Sequence, residues 1–127
     1  MTFRILPALA ASAALIAAGS VFAHAALVSS TPAAAAVVAK PSKIALTFNE
    51  KIIGAASGAD LNMTSMPGMA MKQPMKMTDF SAAMSADGKT LTLLLKHPLT
   101  AGVYHLDWHV AGADTHHTQG QLSFTVK

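Results

Sequence analysis

The sequence predicts an all-β protein, a small sandwich or barrel, on three observations. "KIALTFNEKI", residues 43–52, sets Ile44, Leu46 and Phe48 against Ala45, Thr47 and Asn49, the two-residue period of a half-buried strand. "ADGK", 86–89, is an Asp-Gly turn signal that leads into the apolar run "TLTLLL", 90–95. "VYHLDWHV", 103–110, and "GQLSFTV", 120–126, alternate in the same way. Short strands with turns between them bury one face each, so two layers must pack together.

Taken in order, the chain opens on a stretch that is not part of that fold. Residues 1–23 read as a secretory signal peptide: Arg4 is an early positive charge, an apolar run follows from Leu9 to Ala18, and small residues close it at "SVFA". The run is shorter than the ~20 residues of a membrane span. Cleavage after Ala23, with Val21 and Ala23 as the small residues, would start the mature chain at His24. Cleavage after "AHA", 23–25, would start it at Ala26, and the pattern alone leaves both open. The expected mature protein is exported and is one domain, 24–127.

Beyond the signal, "TPAAAAVVAKPS", 31–42, lies between prolines and reads as an irregular connection. "KIALTFNEKI" is the first long strand. After the 86–89 turn and its strand, "PLTAG", 98–102, is a second turn. In 103–110, Val103, His105, Asp107 and His109 share one face and Tyr104, Leu106, Trp108 and Val110 the other. Trp108 is expected in the core, and the face with His105 and His109 in solvent. In the last strand Leu122, Phe124 and Val126 point one way. His97 reads as solvated and Met84 as packing.

Composition excludes some functions. The chain has no cysteine, so neither a disulfide nor a thiolate metal site is available. Past residue 23 it has lysines but no arginine, and they are scattered, which argues against nucleic-acid binding. Methionine and histidine remain, ligands that survive oxidising compartments better than thiols.

"NMTSMPGMAMKQPMKM", 62–77, holds six methionines and no Leu, Ile, Val or Phe. Pro67, Gly68 and Pro74 preclude a helix of useful length. Met69, Met71, Met75 and Met77 have one parity and would face one way in an uninterrupted strand, but Lys72 and Pro74 interrupt it. The stretch reads as a loop chosen for sulfur rather than for packing. Thioether sulfur is soft and uncharged and suits Cu(I).

"GADTHHTQG", 112–120, supplies a second constellation. Asp114 and His116, two apart, can point the same way, and a carboxylate with an imidazole suits Cu(II) or Zn. His117 and His109 are either spare ligands or a solvated face. His24, as a first residue, would add an amine and an imidazole to the tetragonal N,O plane that Cu(II) prefers.

"HAALVSSTPA", "IALTFNEKI", "MTSMPGM" and "LTAGVYHLDWHVAGADTHHTQGQLSFTV" together resemble the periplasmic copper-resistance proteins of the CopC/PcoC family over essentially the whole of 24–127. The resemblance implies a Greek-key β-sandwich, Ig-like and cupredoxin-like in outline, that carries copper in the periplasm. It implies a Cu(II) site of His24, Asp114 and His116, with Glu50 added in some members, and it favours cleavage before His24. It implies a Cu(I) site at Met63, Met66 and Met69, with Met75 displaced by one residue. Met71 stands where many relatives have a histidine, and Met77 is an extra thioether able to substitute, so both are counted among the candidate Cu(I) ligands. It further implies exchange with a CopD-type inner-membrane copper transporter and other periplasmic copper carriers. The expected function is binding and transfer of copper by a monomer, without catalysis. Two other classes are weighed against it. An N-terminal histidine also resembles the histidine brace of copper monooxygenases, and a β-sandwich can be an interaction module with no metal.

Overall fold

The computed structural model describes residues 24–127. The expected signal peptide, 1–23, lies outside them. Among the described residues nine strands form two sheets: β1 (Leu27–Thr31), β2 (Val37–Val38), β3 (Lys43–Phe48), β4 (Gly58–Met66), β5 (Met69–Met77), β6 (Phe80–Met84), β7 (Thr90–Leu95), β8 (Gly102–Ala111) and β9 (His117–Val126). One sheet has the order β1-β3-β7-β6 and the other β2-β9-β8-β4-β5. All pairings are antiparallel except β2 with β9.

The alternation in the sequence becomes the interior. Ile44, Leu46, Phe48, Leu91 and Leu93 from the first sheet meet Leu61, Met63, Tyr104, Leu106, Val110, Phe124 and Val126 from the second, all buried. Trp108 is in this core as expected, edge-on to Phe48 at 5.2 Å. The Asp87–Gly88 turn also forms: Gly88 takes φ +73°, where a Cβ is disfavoured, and Asp87 accepts the Lys89 N–H at 3.0 Å.

Two expectations need correction. The 31–42 segment is not wholly irregular, because Val37 and Val38 form β2 against Thr125 and Val126. The methionine-rich stretch is not a loop but the end of β4, a turn at Pro67–Gly68, and β5. Gly68 at φ +72° makes that turn possible. The common parity of its methionines does not survive, however. Met75 faces Met63 and Ala70 faces Ser65, so residues 71–74 stand against Thr64 alone. Pro74 has no N–H to give a ladder, and an edge strand accommodates the resulting bulge.

Candidate metal centre

One end of the sandwich gathers residues from both ends of the chain. Asp114 and His116 sit in the loop between β8 and β9. That loop is closed by Thr115 N–H donating to the Gly112 carbonyl at 2.9 Å and Gly112 N–H donating to that of His116 at 3.0 Å. Thr115 adopts φ +68°, and its hydroxyl donates to the Asp114 carbonyl. Asp114 is held by its neighbour: the His116 N–H donates to Oδ1 at 3.1 Å, and His116 Nδ1 lies 2.9 Å from Oδ2. The hydrogen bond with the His116 ring, then that from its backbone N–H, holds the Asp114 carboxyl below the ordinary carboxylate range.

His24 reaches the same corner because the residues after it are pinned. Thr118 Oγ1 donates to the Ala25 carbonyl at 3.0 Å, Ala26 N–H donates to Asn49 Oδ1 at 2.8 Å, and Ala25 is buried. His24 Nδ1 then lies 4.0 Å from Asp114 Oδ2, and its ring meets that of His116 edge-on at 4.8 Å. Ligand atoms of His24, Asp114 and His116 all lie within 4.8 Å of one another, and among the described residues theirs is the one such His and carboxylate group. All three are exposed. Two imidazoles and a carboxylate converging at a surface fit a borderline divalent ion.

Glu50 stands outside that triplet but beside it. Its Oε1 and Asp114 Oδ1 lie 2.8 and 3.2 Å from where a Cβ on Gly112 would be. Gly112 thus leaves room for two carboxylates. Sequence reasoning missed it, along with the anchoring by Asn49 and Thr118, since these residue types carry no metal signal. His117 opens β9 in solvent, outside the cluster. His105 and His109 lie on the outer face of β8. His105 contacts Ser123 Oγ at 3.0 Å and Asp107 Oδ1 at 3.3 Å, and the His109 ring lies over Gly58.

The methionines occupy the other end. β8 runs from Gly102, close to the β4–β5 turn, to Ala111, next to the Asp114 loop. Ten strand residues separate the two constellations by roughly 30 Å. Met63 faces Met75 and Met66 faces Met69 across the hairpin. Their exposures differ: Met69 is 59% and Met75 49% exposed, Met63 is only 4% exposed, and Met66, Met71 and Met77 are half-buried against the core.

The described domain is similar to known proteins in sequence and in fold. The CopC domain model matches residues 27–127. Copper resistance protein C of Xanthomonas campestris pv. juglandis is 49% identical over 115 residues, spanning 91% of this chain and 89% of that protein. Copper resistance protein C of Escherichia coli is 43% identical, spanning 85% of each. The crystal structure of PcoC, a methionine-rich copper resistance protein from Escherichia coli, superposes with a TM-score of 0.74 at 41% identity, over 83% of this chain and all of that one. The crystal structure of CopC from Methylosinus trichosporium OB3b gives a TM-score of 0.69 at 25% identity, over 82% of this chain and 94% of that one.

Proposed function

The chain belongs to the CopC family, and from that premise we propose that it is a periplasmic copper carrier with one site for each oxidation state. The convergence of His24, Asp114 and His116 is the observation that carries this reading. Bonds of about 2 Å place ligand atoms closer together than the present span, so small rotations of exposed side chains would close the set around Cu(II). If the exported chain begins at His24, its free amine adds a fourth donor. Glu50, on the far side of Gly112, is the natural additional carboxylate.

Cu(I) is assigned to the hairpin. Met69 and Met75 present sulfur to solvent, Met66 and Met71 supply it from half-buried positions, and Met63 contributes from beneath. Sulfur holds Cu(I), nitrogen and oxygen hold Cu(II), and a change of oxidation state therefore changes the preferred site. With roughly 30 Å between the sites, an ion cannot pass directly from one to the other, so transfer runs between molecules. A CopD-type inner-membrane transporter and other periplasmic carriers are the proposed exchange partners. The role is binding and delivery, not catalysis: a carboxylate among the copper ligands leaves fewer positions for a reacting molecule than a histidine brace would.

The test is to export the protein from its own leader, determine the mature N-terminus by mass spectrometry, and record the Cu(II) EPR spectrum. A chain starting at His24 with a tetragonal N,O spectrum is expected. That spectrum should be altered by one extra residue before His24, and by Asp114→Asn. A chain starting at Ala26, or a spectrum indifferent to both changes, would remove the cluster from copper binding.

A further inference from the structure

The hairpin assignment does not use Met77, which packs half-buried against the core. It faces Leu61, at the opposite end of β5 from the exposed Met69. Instead it lines a cavity of about 180 Å³ with Asp79, Phe80, Leu95, His97, Pro98 and Thr100, floored by the buried Leu99. The cavity arises where the chain changes sheets twice in one place. β5 and β6 are edge strands of different sheets, joined through Thr78–Asp79, and the 96–101 segment crosses beside them from β7 to β8.

The walls are well fixed. Lys96 N–H donates to the Asp79 carbonyl at 3.0 Å, Leu99 N–H to that of Pro41 at 3.0 Å, and Tyr104 Oη to that of Thr100 at 2.8 Å. His97 stands between two of these ties, and Pro98 fixes the backbone dihedral after it. The His97 backbone is therefore held at the rim, the residue itself is exposed, and Met77 stands in the wall of the same cavity. Phe80, Leu95 and Leu99 make most of the remaining lining apolar. Cu(I) tolerates low coordination and takes soft or borderline donors, whereas divalent hard ions would need several oxygens that this lining lacks.

We propose that Met77 and His97, lining one cavity at the β5–β6 crossing, form a separate Cu(I) site, a thioether–imidazole pair distinct from the methionines of the hairpin. The proposal rests on the copper reading above and extends it. The site gives the methionine end an imidazole donor of its own, within the cavity rather than on the strand surface. Asp79 at the rim offsets the charge of the incoming ion.

The experiment uses the exported chain labelled at methionine methyl carbons and histidine ring nitrogens, titrated with Cu(I) anaerobically under excess ascorbate and followed by NMR. The Met77 methyl and the His97 ring should shift together, in a step separate from Met66, Met69 and Met75. His97→Gln should weaken the Met77 response roughly tenfold or more while leaving the hairpin responses unchanged. Met77→Leu, a volume-conserving change, should do the same to the His97 response. Two results would overturn the proposal while keeping the copper reading. In one, Met77 shifts in step with the hairpin methionines and ignores His97→Gln. In the other, Met77 and His97 stay silent while the hairpin responds. Silence at every methionine would remove the Cu(I) reading itself and this site with it.

Discussion

Substituting Gly112 by alanine tests whether the space beside Asp114 matters to metal rather than to folding. The new Cβ would lie 2.8 Å from Glu50 Oε1 and 3.2 Å from Asp114 Oδ1, where ordinary contact begins at 3.4 Å. Both obstacles are ends of side chains, not backbone. Gly112 is itself buried and outside the left-handed region, so alanine fits its backbone. Loss of unfolded-state freedom stabilises by about 0.4–1 kcal/mol, and turning Glu50 off its rotamer costs about 0.5–1.5 kcal/mol. The metal-free protein should thus change by no more than about 1 kcal/mol, or about 4–8 °C in Tm. Copper binding should suffer more, because Glu50 is expelled and Asp114 moves by a few tenths of an ångström. A loss of Cu(II) affinity of roughly tenfold is expected, about 1.4 kcal/mol. The assay is chelator competition read by quenching of Trp108, the sole tryptophan, alongside thermal unfolding of the apo form. In a Glu50→Ala background the further loss on adding the Gly112 change should shrink, since the group displaced is gone. A Tm loss well beyond 8 °C in the apo form would refute the claim that flexible side chains absorb the Cβ. An unchanged Cu(II) affinity would refute the claim that this crowding touches the site.

Two other predictions follow from named contacts. The carboxyl of Asp114 is held below its ordinary range by the His116 ring and N–H, so its stabilising effect is present above the ordinary value of 3.8 and is lost as pH falls through the lower folded value. Carbon-detected NMR titration of the apo protein should find its midpoint below that of free aspartate, and His116→Ala should raise it; no difference between the two would contradict the cause given. A Cβ at Gly120 would lie 2.4 Å from Trp108 Cζ2 and 2.8 Å from Cε2, against a rigid ring already packed on Phe48. Gly120→Ala should therefore destabilise by about 1–3 kcal/mol, and an unchanged urea midpoint would show that the ring has room to move.

Much of the fold was legible because a two-residue period is a local property. Ile44, Leu46 and Phe48 reveal their strand without reference to anything else, and so do Leu122, Phe124 and Val126. β1, β4 and β6 went unread. In β6, "FSAAM", and in β1, "LVSST", most residues are small or polar, and at the sheet edges neither strand has a fully buried side chain to impose the two-residue period. The hairpin was misread as a loop because Pro74 and Lys72 break the local pattern, while the pairing that rescues the strand is made with β4 and is invisible in β5 alone.

By itself, the sequence determined the chemistry on offer: thioethers in one stretch, a carboxylate and imidazoles in another, no thiols, and a family resemblance over the whole domain. Only the tertiary structure decided which of these groups meet. His24 reaches Asp114 and His116 because Thr118 holds the Ala25 carbonyl across a separation of 93 residues. Met63 is buried while Met75, its partner across the hairpin, and Met69 are exposed, because Met63 lies on the inner strand β4 and the other two on the edge strand β5. Met77 shares a cavity with His97 because two sheet crossings lie side by side. Residue type is written into the chain, but the distance between remote residues is set by how strands pair and layers pack.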